Sequence, residues 1–293
     1  MFSIMTTKCA TVALLGVPNS GKSTLLNSIL GMKLAAVHRK VQMTRKNQLG
    51  IHTEHNCQLV FIDTPGIHHS DKALNKKMLG ELRTALAGAD IVLVLIEAQR
   101  SIPAIINAYL TDTQGSTKNI IVVNKTDEPK TDWQLDPEVL KQQYGLPVIL
   151  ISARQNTGIQ DLIKFLQEGA PKHPFFYDAD DLTTTSMRDI AADCIREKLM
   201  EYLHDEIPYE TGVVVEEYQE GKKKIKIKAT IMVNHKSQKG IVIGHKGENI
   251  AKIRQAAERD FGVICEKFVS LQLFVKVDDG WIKDGRKVDE YVF

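Results

Sequence analysis

One octapeptide near the N-terminus, Gly16-Val-Pro-Asn-Ser-Gly-Lys-Ser23, restricts the fold more than any other feature of the chain. It follows the apolar run Ala10–Leu15 and opens a stretch of helical spacing, Lys22–Leu30. A strand that ends in a glycine loop and passes into a helix begins a βαβ unit, so a parallel sheet is expected around it. The loop chemistry is equally specific. Gly16 and Gly21 let the main chain wrap a phosphate with amide N–H groups pointing inward, while Pro18, Asn19 and Ser20 build the loop between them. The helix N-terminus adds positive potential. Lys22 reaches the β- and γ-phosphates as a catalytic cation, Ser23 offers Mg²⁺ a hard hydroxyl oxygen, and Thr24 follows among the expected nucleotide contacts.

The pattern continues for about 170 residues. Leu59–Ile62, Ile91–Ile96, Ile120–Val123 and Val148–Ile151 are short runs of Val, Ile and Leu, hydrophobic on both faces as buried parallel strands are. Helical spacing separates them at Leu74–Ala87, Ile102–Thr111, Pro137–Tyr144 and Ile159–Leu166. This predicts an α/β domain with a mostly parallel, doubly wound sheet over residues 1–169. Residues 170–183, with two prolines and an acidic cluster, are expected to be a linker. Residues 184–293 then run helix-strand-strand-helix-helix-strand, the order of a small α+β domain.

Three further motifs fall at predicted strand ends. Asp63-Thr64-Pro65-Gly66 closes the second run, where Asp63 can hold Mg²⁺ and the Gly66 N–H can approach the γ-phosphate during catalysis. Asn124-Lys125-Thr126-Asp127 follows Ile120–Val123, and the Asp127 carboxylate can accept from both N1–H and N2–H₂ of guanine. Adenine cannot supply that pair and would leave a buried charge unpaired. Ser152-Ala153, after Val148–Ile151, can offer a backbone N–H to guanine O6. Each motif alone is weak. Four in order, each after a strand, point to GTP or GDP with Mg²⁺.

The net charge of +2 is unremarkable, but its distribution is not: Lys222 to Arg259 hold eleven Lys or Arg against two Glu. Within this stretch Ile243-Gly244-His245-Lys246-Gly247 carries a G-x-x-G inside V-I-G-x-x-G-x-x-I, a pattern similar to the KH modules that clamp about four single-stranded nucleotides. Lys226 and Lys228 alternate with Ile225 and Ile227 on a predicted strand, and Lys252 lies on the following helix, so all join the candidate RNA contacts. Lysines on a strand also discourage edge-to-edge aggregation, and that reading stands beside the RNA one. Four scattered cysteines without a C-x-x-C pair suit a reduced compartment, and the start MFSIMTTKC shows no secretory signal.

Together these motifs resemble the Era-type GTPases, a P-loop GTPase domain followed by a type II KH domain. The resemblance runs from about Thr11 to Val277 and includes Gly50-Ile-His-Thr-Glu54, Ile195-Arg-Glu-Lys-Leu-Met200 and Pro208-Tyr209. It implies that Gln42-Met43-Thr44-Arg45 is the first switch, normally Q-T-T-R, with Thr44 ligating Mg²⁺ and sensing the γ-phosphate. Met43 departs from that pattern and removes a hydroxyl. The resemblance also implies binding near the 3′ end of small-subunit ribosomal RNA and help in maturing the 30S subunit. A cytoplasmic monomer with peripheral contact to the inner membrane is expected with it. Ile67 stands where Ras-like enzymes carry a water-orienting glutamine, which predicts slow turnover without a partner. His68-His69 beside it are read as solvated. GTP-dependent ordering of residues 37–45 and 66–75 is expected to reach the RNA-binding domain through the linker. Rival classes stay open at this stage: an RNA-binding factor with a merely structural GTPase domain, a P-loop ATPase or kinase, and a GTPase whose basic domain meets anionic lipid.

Overall fold

The computed structural model describes residues 7–36, 44–66, 73–116 and 118–292. The expected roles of Gln42, Met43, Ile67, His68 and His69 therefore concern positions outside the described residues. The chain forms two units, and a single boundary near residue 170 does not separate them. Of the described residues, 7–32, 47–66, 79–116 and 118–184 make the first unit; 33–36, 44–46, 73–78 and 185–292 make the second.

The strands of the first unit are β1 (Lys8–Leu15), β2 (Gln48–Glu54), β3 (Cys57–Asp63), β4 (Ile91–Glu97), β5 (Asn119–Asn124) and β6 (Val148–Leu150). Between them run helices α1 (Lys22–Leu30), α2 (Ala73–Gly88), α3 (Ala104–Asp112) and α4 (Pro137–Tyr144), with the first turns of α2 grouped with the second unit, and α5 (Ile159–Gly169) follows β6. Sheet order is β2-β3-β1-β4-β5-β6, and every pairing is parallel except β2 with β3. The continuous apolar run Val92–Ile96 is buried throughout, as a central strand covered on both faces must be.

β2 is absent from the sequence prediction. Its strand QLGIHTE has only Ile51 as a fully buried aliphatic, so it lacks the run that marks the other strands. It forms because a two-residue turn, His55-Asn56, folds it back antiparallel onto β3, a hairpin that needs little apolar content of its own. The expected linker is also more ordered than its composition suggests. The buried Gln58 side chain accepts from the Phe176 and Tyr177 N–H groups at 2.9 and 3.1 Å and donates to the Tyr177 carbonyl at 3.0 Å. Ile51 N–H donates to the Leu182 carbonyl at 2.8 Å. Residues 170–184 thus run as a strap along the first unit.

The second unit holds α6 (Met187–Tyr202), β7 (Gly212–Glu220), β8 (Lys224–Val233), α7 (Lys236–Ile243), α8 (Glu248–Cys265), β9 (Phe268–Val277) and α9 (Gly285–Val292). The sheet is β7-β8-β9, antiparallel then parallel. The Ser186 side chain accepts from the Asp189 N–H and caps α6. Four charged side chains of α6, Asp193, Arg196, Glu197 and Lys198, are buried and answered in place. Arg196 pairs with Asp193 at 2.6 Å, Lys198 with Asp260 of α8 at 2.7 Å, and Lys33 with Glu197 at 2.8 Å. A buried charge without such partners would cost several kcal/mol. The unpredicted α9 buries only Val288 and Val292, one turn apart, which close with Met78 and Ile282 over the buried Trp281.

Candidate functional site

The strand order explains why the nucleotide motifs converge. β1 lies between β3 and β4, where the order in which successive strands are added to the sheet reverses, and ligands of open α/β sheets bind in the crevice at such a point. Leu14 of β1 is in register with Asp63 of β3, so the glycine loop and Asp63-Thr64-Pro65-Gly66 leave neighbouring strand ends together. In the same way β5 and β6 pair side by side and deliver Asn124-Lys125-Thr126-Asp127 next to Ser152-Ala153.

The glycine loop is built for an anion. Asn19 and Gly21 have φ of 66° and 101°, left-handed backbone that curls the loop inward before α1 begins. A Cβ on Gly66 would lie 2.7 Å from Pro18 N and 2.8 Å from Pro18 Cα, so only glycine lets its backbone close onto the loop. Lys22 is 6% exposed, and its ammonium donates to the loop carbonyls of Gly16 at 3.0 Å and Val17 at 3.2 Å. Burial lowers its pKa to about 8, against the opposing pull of the Asp63 charge. A buried cation resting on two neutral carbonyls is poised for a stronger, anionic partner.

Ser23 Oγ donates to the Asp63 carboxylate at 2.6 Å, and Asp63 is fully buried. A hydroxyl and a carboxylate converging beside a phosphate loop are the hard oxygens Mg²⁺ takes, so these residues fit the metal. Thr44, the third expected ligand, groups with the second unit. Thr64 Oγ1 donates to the Leu14 carbonyl at 2.5 Å, which ties the start of the Thr64-Pro65-Gly66 turn to β1.

At the other end, the Asn124 amide is a clamp. Its Nδ2 donates to the Ser20 carbonyl at 2.9 Å and its Oδ1 accepts from Ala153 N–H at 3.0 Å, locking three motifs together. Lys125 adopts φ 65°, rare for a residue with a side chain, and is held there by Gln99 on its carbonyl and Glu97 on its ammonium, at 2.7 and 2.6 Å. Ser152 Oγ donates to Asp127 Oδ1 at 2.6 Å and orients the carboxylate expected to read guanine. Motif spacing does not reveal Glu97 or Gln99, because both precede Asn124 by more than twenty residues; their signal is only the polar end of an apolar strand.

The second unit carries the other candidate residues. Ile243 ends α7, and Gly244, Lys246 and Gly247 all have positive φ (75°, 48° and 84°) before α8 begins. A Cβ on Gly244 would stand 2.8–2.9 Å from Asn249, whose amide caps the Ile241 carbonyl at 2.9 Å. His245 and Lys246 are exposed on this turn and Lys252 lies one turn into α8. Lys226 and Lys228 are elsewhere: Ile225 and Ile227 are buried against the helices, so the alternating lysines project from the opposite face of the sheet. The structure therefore splits the predicted RNA residues between two surfaces.

Arg45, which the sequence offers only as the last letter of a switch motif, is 1% exposed. Its guanidinium donates to the carbonyls of Thr211 at 2.8 Å, Tyr209 at 3.1 Å and Pro208 at 3.3 Å. Burial, reinforced by the nearby Arg196 charge, lowers its pKa to about 9. A buried arginine on main-chain carbonyls leaves no sequence signal, since its partners show no side-chain pattern.

Comparison with known proteins places the chain in a family. A family profile described as "50S ribosome-binding GTPase" matches residues 11–125, and one described as "KH domain" matches residues 206–282. GTPase Era of Pseudomonas aeruginosa is 42% identical over 283 residues, covering 95% of this chain and 93% of that protein. GTPase Era of Brucella suis is 38% identical over 294 residues, with 97% and 93% covered. Among solved structures, a variant of Aquifex aeolicus Era bound to GDP and AlF₄⁻ superposes with a TM-score of 0.92 at 29% identity, covering 98% of this chain and 99% of that one. Era in complex with MgGDPNP and nucleotides 1506–1542 of 16S ribosomal RNA gives a TM-score of 0.90 at the same identity and coverage. With sequence similarity along nearly its whole length and both domains matched, the chain belongs to the GTPase Era family.

Proposed function

We propose that this chain is a GTP-binding and GTP-hydrolysing switch that binds the 3′ region of small-subunit ribosomal RNA and assists assembly of the 30S subunit. The observation that carries the nucleotide half is the Asn124 amide joining the phosphate loop to the guanine-reading end through Ser20 and Ala153. Ser23, Asp63 and, in the triphosphate state, Thr44 would hold Mg²⁺, which would supply positive charge against the β- and γ-phosphates. Around it Lys22 draws charge from the phosphates, Gly66 N–H meets the γ-phosphate, and Asp127 selects guanine. The rival ATPase reading loses ground to the oriented Asp127 carboxylate. With Ile67 in place of a glutamine, turnover of the isolated protein is slow.

The RNA half is supported by the G-x-x-G turn at the start of α8 and by the Era structure solved with 16S ribosomal RNA. The family reading extends to a cytoplasmic monomer with peripheral inner-membrane contact; no described helix is long and apolar enough to cross a membrane. The test is RNA affinity. Replacing His245 and Lys246 by Asp abolishes binding to a 3′-terminal small-subunit rRNA fragment, and wild-type affinity differs between the GDP and GTP-analogue states. Unchanged binding by the variant contradicts the KH assignment, and equal affinity in both nucleotide states contradicts the switch.

A further inference from the structure

The open face of the β7-β8-β9 sheet is not explained by the G-x-x-G turn. Register places Lys224 beside Phe268, Lys226 beside Ser270 and Lys228 beside Gln272, with Gln219 and Glu217 completing the rows on β7. Two residues further along β9 the same face presents Phe274. Phe268 is 81% exposed and Phe274 is 49% exposed, unusual values for phenylalanine. The Lys228 ammonium lies 5.7 Å from the Phe274 ring centroid, over its face. Glu216 and Glu217 approach Lys228 at 3.6 and 3.4 Å, whereas among the described residues Lys224 and Lys226 form no ion pair.

We propose that this face is a second nucleic-acid surface, on which single-stranded RNA stacks bases on Phe268 and Phe274 while Lys224, Lys226 and Lys228 track its phosphates. The inference rests on the RNA-binding reading above and extends it to a surface apart from the G-x-x-G turn. The arrangement favours RNA over a protein partner. Protein interfaces bury a contiguous apolar centre depleted of lysine, but here Ser270, Gln272 and lysines separate two single rings. Isolated aromatics set among cations are how non-sequence-specific single-strand binders hold bases and backbone at once. Six residues of β9 separate the rings by about 20 Å, so one strand must be several nucleotides long to reach both. An RNA that only fills the G-x-x-G groove, about four nucleotides, cannot do so.

The experiment compares the full-length chain with Phe268→Ala/Phe274→Ala, Lys224→Ala/Lys226→Ala and His245→Asp/Lys246→Asp. Each binds fluorescent single-stranded RNAs of about 5 and about 20 nucleotides over a salt series. Because Phe268 is largely in solvent and Phe274 about half so, the phenylalanine variant folds as the wild type does, which a thermal melt verifies. That variant binds the 20-mer at least about tenfold more weakly and the 5-mer unchanged. Loss of two lysines lowers the salt slope for the 20-mer by roughly 1.4. A phenylalanine variant that binds the 20-mer like wild type overturns the proposal. So does one that keeps RNA affinity but no longer floats with phosphatidylglycerol–phosphatidylcholine vesicles, since the face then serves lipid. The aspartate variant tests the underlying reading separately: if it keeps both RNAs, the KH assignment fails, while the phenylalanine result on the 20-mer still decides the sheet face.

Discussion

Lys22 and Arg45 are both buried cations held by main-chain carbonyls, yet they sit in regions of opposite character. The Lys22 ammonium rests on Gly16 and Val17, carbonyls of the same short loop proposed to wrap phosphate, so its contacts are local and exchangeable. The Arg45 guanidinium gathers the carbonyls of Pro208, Tyr209 and Thr211, residues more than 160 positions away, and those contacts are part of the second unit's fold. Burial depresses both pKa values, to about 8 and about 9. The same chemistry therefore serves a ligand site in one place and a tertiary anchor in the other, and what differs is whether the carbonyls can let go.

Substitution separates the two most sharply at Lys22. Lys22→Ala lowers GTP turnover by about 100-fold or more, as loss of one electrostatic donor at a developing charge does, while the nucleotide-free protein melts no lower than wild type. A variant that loses stability but keeps turnover breaks the comparison. Arg45→Ala does the reverse: it strands three buried carbonyls and costs about 3 kcal/mol in urea unfolding of the second unit. Arg45→Lys, unable to reach all three, recovers only part of that. Asp127→Asn weakens GDP binding about 100-fold and favours a base with a carbonyl in place of the guanine amine, with no loss of fold. Competition between guanine and xanthine nucleotides measures it.

The smallest effect is pH-dependent. The folded Lys22 pKa lies below the unfolded value, so burying its charged form opposes folding at neutral pH. Between about pH 8 and pH 10 the nucleotide-free native state binds fewer protons than the unfolded state, and stability rises with pH through that window. Lys22→Met removes the rise. Wild-type and variant stabilities that run parallel from pH 7 to 10 contradict the buried-cation account.

The nucleotide half of the molecule was legible because its chemistry is local. Gly16–Ser23, Asp63–Gly66, Asn124–Asp127 and Ser152-Ala153 each pack a proposed contact set into a few adjacent residues after an apolar strand, and periodicity places those strands to within a few residues. What escaped was non-local. β2 forms only because β3 lies beside it, and the strap over 170–184 is ordered by Gln58, a polar side chain more than a hundred positions away. Alternation places Lys226 and Lys228 on one face of a strand, but it does not say which face the helices cover, so their separation from Gly244–Gly247 is visible only in the fold. The charges of α6 look like a solvated helix in sequence and are buried because Lys33, Asp260 and their own neighbours answer them.

The central claim, a GTPase coupled to RNA, is tested most directly by GTP hydrolysis of the purified full-length chain with and without single-stranded RNA carrying the 3′-terminal small-subunit rRNA sequence, across a salt series. The account predicts slow turnover alone, faster turnover with RNA at low salt, and loss of that enhancement as salt displaces the phosphate contacts. Turnover that is identical with and without RNA at low salt, or that reaches tens per second with no partner present, contradicts it.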